Sequence, residues 1–296
     1  MTAKESFNTF LRKKRLQGLR PKSIEDYRLF VGMFINYVGQ DYDIESLSEA
    51  VTESYIEYQM SRGIAQSTIA TYVRNLKIYL LWMEKQYHIS VSASDIIVPK
   101  TEKTCPLIYS EEQIELIFSS IHNESPWITL RNRSIVALML DSGLRQSEVC
   151  NLHKADINYD AHTIKVHGKG GKERLVPIGS FSEKYITEYL ATCPHPSDSL
   201  FVGRRGDNLT PDSVKHLISK IGKCLPFPFS SHKLRHNFAT NYCLDQYEKH
   251  GQIDVYSLMI LMGHEDVKTT ERYLHFAKQI IASRQHISHL DAIFVA

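Results

Sequence analysis

Arg145, Lys169, His232, Arg235, His264 and Tyr273 are separated along the chain, yet all are of types that handle phosphate. Arg145 lies in Gly143-Leu144-Arg145-Gln146-Ser147-Glu148, and Lys169 in the turn Gly168-Lys169-Gly170-Gly171. His232 and Arg235 belong to His232-Lys233-Leu234-Arg235-His236, and Tyr273 falls nine residues after His264. A guanidinium is planar, bidentate and always charged, which fits it to phosphate oxygens. A free phenol titrates at about 10, so attack on phosphorus at neutral pH needs a base and a positive field. A protein–phosphate ester would store the broken bond, so rejoining would need no ATP. The set suits breaking and remaking a phosphodiester, with neither metal nor nucleotide cofactor required.

Each motif also has a plainer reading when taken alone. Gly143 suits the C′ position of a helix through Ile135–Leu140, so Arg145 would begin the next helix after a sharp turn. Glu148 could then hold the guanidinium, or the two could form an exposed i,i+3 pair of little energetic worth. Lys169 would sit at a hairpin tip, where glycines let a backbone approach DNA, although glycine–lysine turns are common. His232 and Arg235 are one helical turn apart and share a face. His232 and His236 together suggest a zinc helix, but Lys233 stands where that motif needs its glutamate, and no C-x-x-C pair occurs. Tyr273 lies among Lys268, Thr269, Thr270, Glu271 and Arg272, whereas Tyr27, Tyr37 and Tyr79 recur in apolar patterns as packing residues.

The surrounding pattern is mostly helical. Ser23 and Asp26 suggest a capping box, followed by Ile24, Tyr27, Phe30, Phe34 and Tyr37 at helical spacing, with Gly39 ending the run. A second helix is expected after Thr52, with Ile56 and Met60 inward and Gly63 beyond it. A third starts near Ser67 and buries Ile69, Val73, Leu76, Leu80 and Met83. Its opposite face carries Thr71, Arg74 and Lys77, a polar ladder suited to phosphates. The stretch 99–106, bracketed by Pro99 and Pro106, reads as a linker. Ser110 and Gln113 form another capping signature, and Ser257–Met262 suggests a short buried helix. Thr163–His167 and Arg174–Ile178 alternate like two strands joined by the glycine turn.

Composition narrows the class. The 296 residues, 43% hydrophobic and 23% charged, are those of a globular protein with no apolar run of membrane-spanning length. Five scattered cysteines, Cys105, Cys150, Cys193, Cys224 and Cys243, favour reduced thiols and a cytoplasmic location, with no secretory signal at the N-terminus. A net charge of +2 says little about nucleic acid. Local clusters say more: Arg12, Lys13, Lys14, Arg15, Arg20 and Lys22 occur without an acid between them. A second cluster holds His167, Lys169, Lys172 and Arg174 against the single acid Glu173.

In their shared order and spacing, Gly-Leu-Arg-x-x-Glu, Gly-Lys-Gly-x-Lys-Glu-Arg, His-x-x-Arg-His and Gly-His followed by Tyr273 resemble the tyrosine recombinase (phage-integrase-like) family. The likeness is to its compact, Xer-type members and covers essentially the whole chain. It implies a mainly α protein: an all-helical (SAM-like) core-binding domain over 1–98, a linker over 99–106, and a catalytic domain over 107–296. That second domain would be α-rich, with a small antiparallel β-sheet and a C-terminal tail. The resemblance further implies that Tyr273 forms a 3′-phosphotyrosyl link while Arg145 and Arg235 clamp the non-bridging oxygens. Lys169 would protonate the departing 5′-hydroxyl, His232 would help take the phenol proton, and His264 would donate to phosphate or support the pocket. Glu148 would brace this set, and Arg74, Lys77, Lys172 and Arg174 would face DNA. The implied partners are double-stranded DNA with inverted half-sites, a homo-tetramer on two duplexes with C-terminal tail exchange, and an accessory DNA-bending protein. No membrane partner is implied.

The chain departs from the compact pattern between Arg235 and His264, where Asp245–Gln252 looks like extra material in a solvated connection between helices. That length, with the basic N-terminus, points to a mobile-element enzyme for integration, excision or resolution rather than to Xer-type dimer resolution. Two alternatives share parts of the pattern: a type IB topoisomerase, against which His232 counts, and a non-catalytic DNA-binding relative, which would have no use for Tyr273 with Lys169. The apolar tail residues Ile287, Leu290, Ile293, Phe294 and Val295 would either pack on their own domain or dock on a neighbouring subunit.

Overall fold

Reciprocal capping starts the first helix. Thr2 Oγ1 accepts the Glu5 N–H and the Glu5 carboxylate accepts the Thr2 N–H, opening α1 (Ala3–Leu16), a helix not foreseen from periodicity. The computed structural model describes residues 1–296 apart from 88, 90, 102–107, 169–170, 286–288 and 295–296. It divides into two units, Met1–Thr104 and Cys105–Ala296. In the first, α1 is followed by α2 (Pro21–Val38), α3 (Glu49–Ser61) and α4 (Gln66–Tyr87). Phe10, Phe34, Tyr55, Leu76, Tyr79 and Leu80 fill its core, with Phe10 set edge-on to Tyr79 and Phe34 edge-on to Tyr55.

Two local expectations fail here. The α2 helix begins at Pro21 rather than at a Ser23 cap, because proline's fixed φ and missing N–H suit the first helical position. On α3 the buried stripe is Thr52, Tyr55 and Gln59, while Met60 lies off that stripe and is exposed. Of the expected linker, residues 102–106 lie outside the described residues.

The second unit begins with α5 (Glu111–Ser119), whose Ser110–Gln113 capping box forms as expected. Then come α6 (Pro126–Asp141) and the short α7 (Gln146–Cys150). A three-stranded antiparallel sheet follows, β1 (Ile157–Asn158), β2 (Thr163–His167) and β3 (Glu173–Pro177), in that spatial order. Then come α8 (Ser180–Thr192), α9 (Pro211–Lys223), α10 (Ser231–His250), α11 (Val255–Met262), α12 (Val267–Gln285) and α13 (His289–Phe294). The expected connection over 245–252 is a correction: through His250 it is the last turns of α10, which Gly251 closes in the left-handed conformation at φ 70°. No helix among the described residues is long and apolar enough to cross a membrane.

Two hydrophobic clusters join the elements of this unit. One packs Ile135, Leu138, Leu144, Val149, Ile164, Val166 and Val176, joining α6 and α7 to the sheet. The other packs Phe238, Cys243, Leu258, Met262, Tyr273 and Ala277, joining α10, α11 and α12.

The α6–α7 turn is closely packed against α10. Gly143 follows the α6 C-cap Ser142 at φ 62°, and a Cβ there would lie 2.3 Å from Phe238 Cδ1 on α10. Ser142 Oγ donates to Pro177 O at 2.7 Å, and the Gly179 N–H donates to Asp141 at 2.5 Å, tying the same turn to the sheet. Gly143→Ala combines left-handed strain with overpacking. It should cost about 2–5 kcal/mol of stability, measurable as a lower denaturation midpoint at unchanged slope. A midpoint equal to wild type would contradict this role for the joint.

Candidate active site

The turn at Gly143 delivers Arg145 to the first residue position before α7, and Glu148 sits in that helix's first turn. The Glu148 carboxylate accepts the Arg145 backbone N–H at 2.8 Å and the Arg145 guanidinium at 2.8 Å. The exposed i,i+3 pair considered above is therefore not what forms, since Glu148 is only 4% exposed. Arg174 approaches the same carboxylate in a two-pronged pair, Nη1 to Oε1 and Nη2 to Oε2, both at 2.9 Å. Arg235 completes the ring with Nη1 3.9 Å from Oε2.

Burial alone would push the Glu148 carboxyl up. The hydrogen bonds and charge of Arg174, then those of Arg145, outweigh it and hold the group at about 2. The Arg235 guanidinium is pulled down to about 10, first by burial and then by the charge of Arg145.

The other side of each guanidinium rests on the C-terminal end of α11. Arg174 Nε donates to Leu261 O at 2.8 Å, Arg235 Nη2 donates to Met262 O, and Arg145 Nη2 donates to Gly263 O at 3.1 Å. Arg235 Nη1 also donates to Gly143 O, closing the link from α10 to the α6–α7 turn. Helix-terminal carbonyls lack intrahelical donors and carry the negative end of the helix dipole, so three arginines are a matched cap. Gly263 closes α11 at φ 58°, and a Cβ there would stand 3.1 Å from Arg174 Nη1. A side chain there would be strained at this φ and would press the guanidiniums back from the turn.

His264 and Tyr273 follow directly. Arg235 Nη2 faces His264 Nε2 at 3.4 Å, and His264 Nδ1 lies 2.8 Å from Thr270 Oγ1. With Nε2 accepting from Arg235, Nδ1 carries the proton and donates to Thr270. Burial and the charges of Arg235 and Arg145 lower the imidazole to about 4, so it is neutral at pH 7. The Tyr273 ring lies nearly parallel to it, with centroids 6.3 Å apart and planes 11° apart. Tyr273 is 2% exposed. Its phenol is raised by burial, against the lowering effect of Arg272, Arg235 and Arg145.

Of the residues singled out from sequence, Arg145, Glu148, Arg235, His264 and Tyr273 thus converge. His232 stands exposed on α10, its ring centroid 6.5 Å from that of His236. Lys169 lies outside the described residues. Among the expected DNA contacts, Arg74 is exposed on α4, and Lys172 is largely exposed beside Glu265 at 3.4 Å. Lys77 is partly engaged, its Nζ donating to Ser94 O at 2.8 Å and Ile96 O at 3.1 Å.

Arg174 departs most from expectation. Rather than facing DNA, it is 8% exposed and bound to Glu148 and α11. The reason is strand alternation: Arg174 pairs with buried Val166 and shares a face with Val176, while Leu175 between them is 61% exposed. That alternation was readable in the sequence. The other residue missed is His236, whose Nδ1 lies 2.6 Å from the Tyr273 hydroxyl. In the sequence it stood as the last letter of His-x-x-Arg-His and as half of the zinc-helix reading with His232, neither of which pairs it with Tyr273.

The arrangement offers a pocket of fixed positive charge beside a buried phenol. Comparison with known proteins agrees with the resemblance drawn from the motifs. A family model described as the phage integrase family matches residues 108–279. Tyrosine recombinase XerC of Staphylococcus aureus (strain bovine RF122 / ET3-1) is 28% identical over 267 residues, covering 87% of each chain. Its namesake in Staphylococcus saprophyticus subsp. saprophyticus is also 28% identical, with 87% of each chain covered. Among solved structures, the Tn1549 transposon integrase in complex with a circular intermediate DNA superimposes with TM-score 0.74 at 16% identity, covering 90% of this chain and 94% of that one. XerH bound to a palindromic difH substrate, a post-cleavage complex, gives TM-score 0.72 at 22% identity, with 95% and 84% covered.

The Glu148 network makes a pH prediction. Because the folded carboxyl titrates near 2 rather than at its ordinary 4.5, it contributes on the order of 3 kcal/mol to stability. That contribution is fully present above about pH 4.5 and is lost as pH falls through about 2. Glu148→Gln should cost about 3–5 kcal/mol at pH 7, because it leaves buried guanidiniums uncompensated. It should also flatten the loss of stability between pH 5 and pH 2 seen by denaturant titration of the wild type. Parallel pH curves for the two proteins would contradict the assignment.

Proposed function

The chain belongs to the phage integrase family, and we propose that it is a site-specific recombinase whose Tyr273 cuts DNA through a 3′-phosphotyrosyl intermediate. The observation that carries this reading is the convergence of Arg145 and Arg235 on one buried carboxylate beside the Tyr273 phenol. The two guanidiniums would take the non-bridging oxygens of the scissile phosphate, where charge grows in the transition state. A missing contact of this kind costs roughly 10²- to 10³-fold in rate. Arg174 acts through Glu148, holding the carboxylate that holds Arg145. His264 supports Arg235 from its other side. Lys169 is assigned the general acid on the strength of its motif alone. No step calls for a metal or a nucleotide cofactor.

The N-terminal unit is read as the core-binding domain, with Arg74 on phosphates and Lys77 contributing only if it leaves its two carbonyls. Lys172 is read as a DNA contact of the second unit. Double-stranded DNA as the partner is supported by relatives solved on DNA, including a lambda integrase dimer bound to a COC′ core site. Inverted half-sites, a tetramer on two duplexes and an accessory bending protein complete the reading, with a cytoplasmic location. Exposed Leu290, Ile293 and Phe294 on α13 support exchange of the tail between subunits, while Ile287 and Val295 lie outside the described residues. Truncation after Ser288 should therefore weaken cooperative assembly on paired half-sites in mobility-shift titrations and leave single-half-site binding intact. Unchanged cooperativity would count against tail exchange.

A mobile element is the biological setting favoured by the added length of α10. Dimer resolution of the Xer type is favoured instead by the likeness to XerC over 87% of each chain. The chemistry is tested with nicked duplexes drawn from the DNA flanking the gene. Wild type should form a denaturant-resistant adduct, and Tyr273→Phe should bind the same DNA without forming one. DNA shifted by both proteins and trapped by neither would favour a regulatory binder.

A further inference from the structure

If Tyr273 is the nucleophile, the reading on which this inference rests, its hydroxyl must shed a proton to attack. The imidazole in hydrogen-bond contact with that oxygen is His236. Nδ1 lies 2.6 Å from Oη, with the ring centroids 5.4 Å apart. His232, expected to help here, is one turn earlier on α10 and exposed. His264 is committed on both ring nitrogens, to Arg235 and to Thr270. We propose that His236 is a catalytic residue, its Nδ1 taking the Tyr273 proton during cleavage and returning it during rejoining.

The step balances. As the Oη–phosphorus bond forms, the bond from phosphorus to the 5′-oxygen breaks. The Oη proton passes to Nδ1, leaving an imidazolium, and the 5′-oxygen takes a proton from the general acid assigned to Lys169. Rejoining runs the same transfers backwards, with the imidazolium protonating the departing phenolate.

The surroundings suit both directions. Around His236 stand His232, Lys233 and Arg235 on its own helix, Arg272 and Tyr273 on α12, and His264 beyond the phenol. Burial first, then the charges of Arg272, His232 and Arg235, lower the imidazole to about 4, so it is neutral and able to accept at pH 7. A phosphodiester seated on Arg235 and Arg145 brings negative charge that offsets these cations. The imidazole then becomes more basic when substrate is present. During rejoining the phosphate is still seated there, and the same cations stabilise the departing phenolate until the imidazolium returns the proton to it. The hydroxyl lies in a side chain only 2% exposed, so the transfer is direct rather than through bulk water.

The test uses the full-length protein and the nicked duplexes described above, in single turnover. His236→Ala and His236→Asn should bind DNA as wild type does and form adduct about 10²- to 10⁴-fold more slowly. Asn can accept a hydrogen bond but cannot carry the proton away, and it keeps a polar side chain if Ala disturbs the fold. Free imidazole should restore part of the rate to His236→Ala and none to Tyr273→Phe. The proposal is overturned if His236→Asn forms adduct at the wild-type rate or faster, faster formation marking the bond as a restraint on Tyr273. It is equally overturned if imidazole rescues His232→Ala while His236→Ala needs none. Failure of the wild type itself to form adduct would strike at the proposed function instead.

Discussion

A carboxylate buried among guanidiniums organises this site. Glu148 is where α7, the sheet and α10 meet, because Arg145, Arg174 and Arg235 each reach it from a different element. Any two of these charges brought together without it would repel in a medium of low dielectric. Other nitrogens of the same guanidiniums are held by successive carbonyls at the C-terminal end of α11 and its cap Gly263. Each arginine is thus fixed at two points before substrate arrives. Rigid donors of this kind need little reorganisation when charge develops, which is the physical basis of electrostatic catalysis.

The same construction links the arginines to the Tyr273 phenol. α11 ends at Gly263, His264 comes at once, and Tyr273 is set into α12 only a few residues later. A shift of α11 would therefore disturb the three arginines and the tyrosine together. Met262 and Tyr273 share one apolar cluster with Phe238, and Phe238 in turn packs on Gly143. Geometry at the site is consequently set by packing as much as by hydrogen bonds, with Gly143 leaving no room for a side chain against Phe238.

Much of this was legible in the chain. The glycine before Arg145 announces a sharp turn that presents a charged residue, whereas the helical spacing of His232 and Arg235 did not say that the first is exposed and the second buried. The hairpin carrying Arg174 followed from period-two alternation. What escaped was the direction of that alternation: a charged residue in a cationic stretch invited a surface reading, although it shares a face with Val176. The inward choice is stable only because Glu148 waits there, and that partner comes from a turn 26 residues away. His236 escaped for a similar reason. On a helix it shares a face with His232, and only the packing of α12 against α10 decides which ring meets the phenol. The start of α2 at Pro21 and the continuation of α10 through His250 were also not read, the second although Tyr247 packs part-buried against the cluster of α10, α11 and α12.

The most direct test of the central claim is to identify the atom that carries DNA. The denatured adduct would be digested with nuclease and trypsin and its peptides sequenced by mass spectrometry. Cleavage after Arg272 and Lys278 releases Tyr273-Leu274-His275-Phe276-Ala277-Lys278, and a 3′-linked nucleotide is predicted on its tyrosine. A nucleotide on any other residue, or linked through its 5′-phosphate, would contradict that claim.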